Sequence, residues 1–363
     1  MTDDFMPLDG WDHVELWVGN AKQAAYYYEH AFGFGCTAYA GPETGVRDRA
    51  SYVLEQNDIR LVVSSALRRG HEIGDFAGLH GDGVKDIALR VPDAKEAYRQ
   101  AVQRGARGIM EPKVVEDEFG KVALATIATY GDVVHTFVDR HAYEGAYLPG
   151  FEAREGRPDE GVGLLALDHI VGNVELGRMD HWVEFYERVF GMTNILHFGD
   201  DQIQTEYSAL MSKVMASGNG KIKFPINEPA EGKRKSQIEE YLEFNHAPGV
   251  QHIALQSENI VETVEAMQSR GMRFLDTPET YYLDVEDRVG AIAEDYGDLA
   301  RLRILADRDD DGYLLQIFTK TAQDRPTVFF EVIERHGATT FGEGNFKALF
   351  ESIEREQALR GNL

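Results

Sequence analysis

Two histidines, His169 and His252, occupy the same position in two copies of an internal repeat, and Glu331 follows them on a strongly apolar segment. Two imidazoles and one carboxylate on a rigid sheet can hold a metal ion on one side and leave its other side open to chemistry. A facial set of this kind is typical of non-haem Fe(II) sites that use O2. The three residues are therefore predicted to be metal ligands.

Strand alternation predicts where each histidine points. If side chains alternate regularly, His169 shares a face with Leu167, and His252 shares a face with Val250 while Gln251 points to the opposite face. A single histidine on an apolar strand is more often an ordinary core residue. Two histidines at equivalent repeat positions instead indicate one shared cavity.

The environment of Glu331 supports the same interpretation. This residue shares a strand face with Phe329 and Ile333, and burying a carboxylate among such neighbours is costly unless a cation or hydrogen bonds compensate. The alternative is an ordinary ion pair with Arg335. Zinc competes with iron because two histidines and a glutamate also form hydrolytic zinc sites. The ligands lie on distant strands, however, and the helical HExxH pattern is absent from the sequence, which favours iron.

Composition limits the classes of partner. The chain has 363 residues and a net charge of 37 − 62 = −25, which repels phosphate backbones and anionic lipids and argues against nucleic-acid and membrane partners. Cys36 is the only cysteine, so neither a disulfide framework nor a cysteine-rich metal site can be built. The first residues do not resemble a signal peptide, and there is no apolar run of about 18 residues. A cytoplasmic location is expected.

Four segments share one plan, in which a short strand is followed by a helix, a glycine turn and further strands. Repeats that cannot bury their own sheet face must pair with a neighbour. The sequence therefore predicts an α+β fold of four βαβββ modules that pair into two half-open β-barrels. The four segments begin at Trp11, Val84, Leu167 and Val250.

The repeats also predict how the chain is divided. We expect an N-terminal barrel over residues 1–145, a linker rich in Gly, Pro and Glu over 146–163, and a catalytic barrel over 164–363. The first barrel carries His13 and Asp86 at the ligand positions but no matching acid, so it should lack a complete metal site. The closing strand YGDVVHTFVDR of the first half matches DGYLLQIFTK of the second half in pattern.

The apolar pattern in the last part of the chain predicts an amphipathic helix that starts near Asn345, with Asn345 as its N-terminal cap. This helix is either docked on the barrel in the ordinary way or acts as a lid over the site. The acidic stretch 276–310 suggests no role beyond a surface excursion.

The chain resembles the 4-hydroxyphenylpyruvate dioxygenase family, in the vicinal oxygen chelate superfamily, over essentially its whole length. The segments that carry the resemblance include DHIVGNVELGRM, KFPINEPA, GVQHIAL, RPTVFFEVIERHG and GNFKALF. The resemblance implies a homo-oligomer, either a dimer or a tetramer, with one Fe(II) per subunit. It also implies conversion of 4-hydroxyphenylpyruvate and O2 to homogentisate and CO2 in tyrosine breakdown, by oxidative decarboxylation, ring hydroxylation and side-chain migration.

The resemblance also implies roles for individual residues. It assigns the iron ligands to His169, His252 and Glu331. It assigns the catalytic pocket to Gln316, Phe318 and Phe346, and substrate binding to Ser208, Asn227, Gln237 and Gln251. From the residues alone, Gln316 and Phe318 share one strand face, as a pocket wall requires. Asn227 lies between two prolines and could equally be a turn residue.

Three other functions stay open. A 4-hydroxymandelate synthase would use the same substrate and iron but hydroxylate the benzylic carbon. That sibling usually carries an aliphatic residue in place of Phe346 and lacks the serine at Ser208. A non-catalytic binding protein on the same modules would typically lack the full metal triad. An extradiol dioxygenase is a third possibility, which the segments VFFEVIERHG and GNFKALF disfavour.

Overall fold

The computed structural model of this chain describes residues 5–156, 161–198, 209–230 and 235–361. It contains two large mixed sheets with helices packed against them. Each sheet is built from two successive βαβββ units. The predicted α+β fold of four paired modules is therefore confirmed.

The first sheet contains nine strands. They are β1 (Gly10–Trp17), β2 (Gly35–Ala40), β3 (Arg49–Gln56), β4 (Ile59–Ala66), β5 (Gly83–Arg90), β6 (Gly108–Asp117), β7 (Gly120–Ala128), β8 (Val134–Tyr143) and β9 (Glu152–Ala153). Their order is β6-β7-β8-β5-β1-β4-β3-β2-β9, and the antiparallel pair β1 and β5 joins the two modules. Its helices are α1 (Ala21–Phe32), α2 (Glu72–His80) and α3 (Ala94–Gln103), with a 3-10 turn at Pro42–Thr44.

The second sheet repeats this plan with eight strands. They are β10 (Leu164–Asn173), β11 (Thr193–Phe198), β12 (Ala209–Ala216), β13 (Lys223–Ala230), β14 (Gly249–Ser257), β15 (Leu305–Arg308), β16 (Tyr313–Phe318) and β17 (Phe329–His336). Their order is β11-β12-β13-β10-β14-β17-β16-β15. The helices are α4 (Met179–Phe190), α5 (Gln237–Asn245), α6 (Ile260–Ser269), α7 (Val285–Val289), α8 (Tyr296–Leu302) and α9 (Glu343–Leu359), with a 3-10 helix at Glu279–Leu283.

Capping residues set the limits of the module helices. The side chains of Asn20, Asp93 and Asn259 accept backbone N–H groups at the starts of α1, α3 and α6. Gly33 and Gly191 end α1 and α4 with φ of +73° and +68°, a left-handed conformation that glycine adopts without a steric penalty. The first and third modules therefore end their helices in the same way.

The two halves share one hydrophobic core on the helix-covered faces of their sheets. The ring of Phe32 in the first half lies 4.8 Å from that of Phe330 in the second, and Tyr186 packs 5.0 Å from Phe224.

Within the described residues, no helix is both long and apolar enough to cross a membrane.

A β-bulge interrupts β10 immediately before His169. In the pairing with β14, Leu167 and His169 have partners and Asp168 is the extra residue between them. A bulge breaks the regular alternation of side chains. Leu167 consequently packs with Ile170 in the main core, and the prediction that it shares a face with His169 is wrong.

The same irregularity occurs before His252. Gln251 is the extra residue in β14, so Val250 faces the main core, and the prediction that it shares a face with His252 is wrong. The Gln251 side chain reaches the His252 ring, which corrects the prediction that it points to the opposite face. The first sheet has bulges at the equivalent places, at Asp12 in β1 and at Lys85 in β5.

Sheet topology corrects the predicted match between the closing strands. Strand β8 pairs in parallel with β5, just as β17 pairs in parallel with β14. The segment YGDVVHTFVDR therefore corresponds to β17, and its match to DGYLLQIFTK, which forms β16, is wrong. The two strands look alike in apolar pattern, but only the pairing shows which is equivalent. In this register Thr136 takes the place of Glu331.

Different parts of the chain cover the interiors of the two sheets. In the first half, Tyr147 is buried against Ala38, Val53 and Val62 of the sheet. In the second half, α9 places Leu349 against Phe318 and Phe329, two strand residues beside the candidate site. The predicted boundaries at residues 145 and 163 stay a prediction.

Candidate metal centre

The three predicted ligands converge inside the second barrel. His169 on β10, His252 on β14 and Glu331 on β17 are all buried, and their ligand atoms lie within 4.8 Å of one another. Glu331 Oε2 lies 3.2 Å from Nε2 of each histidine. The alternative pairing of Glu331 with Arg335 does not occur, because Arg335 pairs with Asp168 instead.

These distances fit one shared cation. Donor atoms bound to a metal at about 2.1 Å lie roughly 3.0 Å apart at right angles and roughly 3.4 Å apart in a tetrahedron. The two distances of 3.2 Å fall between these values. The ligand set of two imidazoles and a carboxylate suits iron, zinc or a similar divalent ion.

His169 is oriented by an acid that sequence reasoning did not identify. Its Nδ1–H donates to Asp168 Oδ1 at 2.7 Å, which leaves Nε2 free for a cation. Asp168 in turn accepts two hydrogen bonds from the Arg335 guanidinium, at 2.7 and 2.9 Å. Burial alone would raise the pKa of Asp168, but the hydrogen bonds from His169 and Arg335 hold it well below its usual range.

Arg335 also fixes the loop that leads to α9. Its guanidinium donates to the carbonyls of Ala338 and Thr340 at 3.2 and 2.6 Å. The ring of Phe341, next in the chain, meets His169 edge to face at 4.7 Å. The position of His169 and the path of this loop are therefore linked through one charged network.

His252 is held by a neutral group. Its Nδ1–H donates to Gln251 Oε1 at 3.0 Å, and its ring stacks on Phe329 at 4.9 Å. The bulge at Gln251 makes this contact between chain neighbours possible. Gln251 thus orients a predicted metal ligand, which is a different role from the predicted contact with substrate.

Glu331 is held by a chain of amides. Gln316 Nε2 donates to Glu331 Oε1 at 2.8 Å, and Gln316 Oε1 accepts from Asn345 Nδ2 at 2.8 Å. Since one carboxylate oxygen is fixed, the other faces the histidines. Asn345 was predicted to cap α9, and this is wrong: α9 begins two residues earlier, and its Gly344 N–H donates to Asp307 Oδ2.

The electrostatics of the site favour a cation. Burial alone would raise the pKa of Glu331, but the charge of His169 and the hydrogen bonds with both histidines lower it to about 2. Burial lowers the pKa of His252. Burial would also lower the pKa of His169, yet the charge of Glu331 and the bond to Asp168 raise it. The ionised carboxylate and the neutral His252 are the forms that bind metal.

The cavity beside the triad has one polar wall and several apolar ones. All three predicted catalytic residues, Gln316, Phe318 and Phe346, line it, and the ring of Phe318 meets His252 edge to face at 5.8 Å. Val171, Phe341 and Leu349 complete the described lining, and sequence reasoning missed all three.

The predicted substrate-binding residues lie at different places. Gln237 and Gln251 line a separate cavity between α5, α9 and the β16–β17 connection, with Phe329 in its wall. Asn227 is buried on β13, so the turn interpretation is wrong; its Oδ1 has no hydrogen-bond partner in the described part of the chain. Ser208 lies outside the described residues.

The first half preserves the outer parts of this site without its ligands. His13 Nδ1 bonds Asp12 at 2.7 Å, and Arg140 pairs with Asp12, as Arg335 pairs with Asp168. The His13 Nε2 atom, however, contacts the Tyr147 hydroxyl at 3.1 Å. Asp86, at the position of His252, accepts hydrogen bonds from Thr136.

Profiles of two known families match the chain. One is described as "Glyoxalase/Bleomycin resistance protein/Dioxygenase superfamily" and matches residues 166–317; the other is described as "Hydroxyphenylpyruvate dioxygenase, HPPD, N-terminal" and matches residues 2–149. With the four βαβββ units and the buried triad, these matches define a metal-site enzyme of the vicinal oxygen chelate superfamily.

Similar proteins narrow this class. The chain is 47% identical to the 4-hydroxyphenylpyruvate dioxygenase of Yarrowia lipolytica, covering 100% of this chain and 96% of that protein, and 48% identical to that of Dictyostelium discoideum, covering 98% and 100%. The chain belongs to the 4-hydroxyphenylpyruvate dioxygenase family. A solved mutant of 4-hydroxymandelate synthase from Streptomyces coelicolor is 33% identical, with a TM-score of 0.86 over 97% of this chain and 100% of that one. The predicted family and oxidoreductase class are confirmed.

Proposed function

We propose that this chain binds one Fe(II) per subunit and converts 4-hydroxyphenylpyruvate and O2 to homogentisate and CO2. The observation that carries the proposal is the convergence of His169, His252 and Glu331, with the Glu331 Oε2 atom 3.2 Å from both histidine Nε2 atoms. Nearly half of all residues are identical in relatives named for this activity.

In this proposal His169, His252 and Glu331 hold the iron, which supplies O2 binding and the oxidative chemistry when bound. Asp168 and Gln251 keep the Nδ1 atoms of the histidines protonated, so that the Nε2 atoms are available. With the two histidines and Glu331 on one side of the cavity, the rest of the site would be open to the 2-oxoacid group of the substrate and to O2.

The cavity walls would position the ring of the substrate. Phe318 and Phe346 line the cavity from a strand and from α9, so an aromatic ring between them would be held on two sides. Phe341 and Leu349 add apolar surface that excludes water from the reacting atoms. Exclusion of water protects the oxidising site from side reactions.

Polar contacts to the substrate are proposed for Ser208, Asn227, Gln237 and Gln251. Asn227 and Gln237 each have a buried side-chain oxygen without a hydrogen-bond partner among the described residues. Such atoms are rare in folded proteins, and a bound polar group or water would satisfy them. The position of Gln251 beside His252 adds an orienting role.

The test is a loading and turnover experiment. The protein is loaded with Fe(II) without oxygen and then given 4-hydroxyphenylpyruvate and O2, and consumed O2, released CO2 and the aromatic product are measured. We expect equal amounts of O2 consumed and CO2 released, with homogentisate as product. His169→Ala should abolish turnover, whereas the matched control His13→Gln in the first half should retain it. Iron-loaded protein that consumes no O2 would refute the proposal.

A second candidate is ring-sparing hydroxylation to 4-hydroxymandelate, which the similarity to the solved synthase favours. Phe346 on α9 lines the cavity and would control which carbon is presented. We expect homogentisate from the native chain and a measurable share of hydroxymandelate from Phe346→Ile. Chromatography of the products decides between these outcomes. A product identical to that of the native chain would remove Phe346 from this role.

The remaining proposals concern the whole molecule. We propose a cytoplasmic homo-oligomer, either a dimer or a tetramer, which binds neither nucleic acid nor membrane. The lone Cys36 and the net charge of −25 support this view. We also propose the division into a scaffold barrel at 1–145, a linker at 146–163 and a catalytic barrel at 164–363. Light scattering gives the oligomeric state.

A further inference from the structure

The acidic stretch 276–310 sends one side chain to the edge of the metal centre. Tyr281 is on the 3-10 helix Glu279–Leu283, and its hydroxyl oxygen lies 2.7 Å from Asn345 Oδ1. The same hydroxyl accepts from the Ala306 N–H at 3.0 Å. An excursion without an evident role in the sequence therefore contacts a residue two hydrogen bonds away from the proposed ligand Glu331.

Every hydrogen bond in this row has its donor on the side away from Glu331. The Tyr281 hydroxyl donates to Asn345, Asn345 Nδ2 donates to Gln316, and Gln316 Nε2 donates to Glu331 Oε1. An ionised carboxylate only accepts, so Gln316 must present its N–H to Glu331 and its carbonyl to Asn345. The Asn345 carbonyl must then accept, and Tyr281 supplies the donor. Bonds aligned in this way strengthen one another.

Tyr281 is itself firmly held. The Arg288 guanidinium lies 5.0 Å from the centre of the Tyr281 ring and 3.7 Å from the Asp307 carboxylate. Asp307 in turn accepts a hydrogen bond from the backbone N–H of Gly344, in the first turn of α9. The excursion thus fastens the start of α9 at two points, Gly344 and Asn345. The Tyr281 hydroxyl also lies 2.8 Å from the Ala306 carbonyl, a second acceptor that keeps it bonded if α9 moves away.

We propose that Tyr281 is a positioning residue for the metal centre. By orienting Asn345 and Gln316, it keeps Glu331 Oε1 hydrogen-bonded to Gln316 and Oε2 directed at the cation. Because Asn345 lies on α9, metal affinity then depends on the position of α9 against the barrel. The proposal rests on the proposed function only in that a divalent cation occupies the triad. Gln316 bonds the ligand directly, and loss of such a partner typically changes metal affinity by about 10- to 100-fold. Tyr281 acts through Asn345 and Gln316, so loss of its hydroxyl should have an effect at the lower end of this range.

The test compares two tyrosines of the same excursion. Tyr281→Phe removes only the hydroxyl that reaches Asn345. The matched control is Tyr296→Phe, because the Tyr296 hydroxyl donates to the Gly290 carbonyl. Affinities for Co(II) and anaerobic Fe(II) are measured on the full chain by competition with a chelator. The visible spectrum of the bound Co(II) and the unfolding temperature are recorded beside them.

We expect Tyr281→Phe to bind metal about tenfold more weakly and to alter the Co(II) spectrum, while Tyr296→Phe matches the native chain. Asn345→Asp removes the N–H group that donates to Gln316 and should weaken metal binding at least as much. This variant tests the next hydrogen bond between Tyr281 and Glu331. Native affinity in Tyr281→Phe would overturn the inference, whatever the result for Asn345→Asp, and would leave the proposed function intact if the native chain binds metal and turns over. A native chain that binds no metal would overturn both.

Discussion

Replacing Asp168 with asparagine tests how the second barrel supports its metal ligand. Asp168 accepts from His169 Nδ1 at 2.7 Å and from the Arg335 guanidinium at 2.7 and 2.9 Å. Asparagine has the same size and keeps one acceptor oxygen, but its NH2 group would face the donors of Arg335. The substitution therefore removes the charge behind His169 and leaves a buried guanidinium without the carboxylate that neutralises it.

The structure sets the size of both effects. The side chains of Asp168 and Arg335 are only 7% and 10% exposed, and breaking a buried pair costs about 3–5 kcal/mol. Because asparagine keeps part of the contact, we expect a loss of about 3 kcal/mol in the free energy of unfolding. A weaker acceptor behind His169 should reduce metal affinity by about 10- to 100-fold.

The first half supplies the matched control. Asp12 accepts from His13 Nδ1 at 2.7 Å and from Arg140 at 2.6 Å twice, but among the described residues His13 belongs to no metal-ligating triad. Asp12→Asn should therefore lose similar stability and keep native metal affinity. Urea denaturation of the metal-free proteins gives the first quantity, and anaerobic titration with Fe(II) or Co(II) gives the second.

Two results would refute this reasoning. Native metal affinity in Asp168→Asn would show that the charge behind His169 does not support the ligand. Equal losses of affinity in Asp168→Asn and Asp12→Asn would show that general destabilisation, and not the local contact, weakens binding.

Three further perturbations test other parts of the structure. Phe350→Ala removes a fully buried ring of α9 and should cost about 3–5 kcal/mol in urea denaturation; a loss below about 1 kcal/mol would exclude α9 from the core. Burial raises the pKa of Asp86 to about 6, so its contribution to stability is present below the unfolded value of 3.8 and is lost as pH rises through about 6. Asp86→Asn should remove this decline of about 3 kcal/mol in the free energy of unfolding between acidic and neutral pH. An unchanged decline would contradict the assignment to Asp86. A chelator should lower the unfolding temperature of metal-loaded native protein but not that of His169→Ala, because a ligand at 100 times its Kd stabilises the folded state by about 2.7 kcal/mol.

The repeat is the reason that the triad could be predicted from the sequence. Equivalent positions in paired modules must face the same interior, so His169 and His252 had to converge once the modules were recognised. Glu331 followed because a carboxylate in an apolar strand needs a partner. These inferences depend on chain periodicity, which the sequence displays directly.

The faces of neighbouring residues could not be predicted in the same way. A bulge depends on which residue of the partner strand is paired, and nothing local marks Asp168 or Gln251 as the extra residue. Regular alternation therefore misplaced Leu167, Val250 and Gln251. Similar apolar patterns likewise led to the wrong match between closing strands, which only the parallel pairing of β8 and β17 resolves.

The supporting contacts of the site are long-range and were missed for that reason. Arg335 reaches Asp168 across 167 positions of sequence, and Asn345 reaches Gln316 across 29. One signal was available: an Asp-His pair occurs at both Asp12 and Asp168, and an acid followed by arginine occurs at both Arg140 and Arg335. A pair that recurs in both halves of the chain indicates a contact that both halves share.

The bulged strands make a histidine and the group that orients it adjacent in the chain, at Asp12–His13, Asp168–His169 and Gln251–His252. Each pair behaves as a two-residue cassette, so a gene duplication copies the imidazole together with its tautomer-setting neighbour. Deleting the codon of the extra residue would remove the bulge and leave the histidine on the barrel side without the neighbour that fixes its tautomer. Insertions and deletions there should consequently be far more damaging than in the loops between strands.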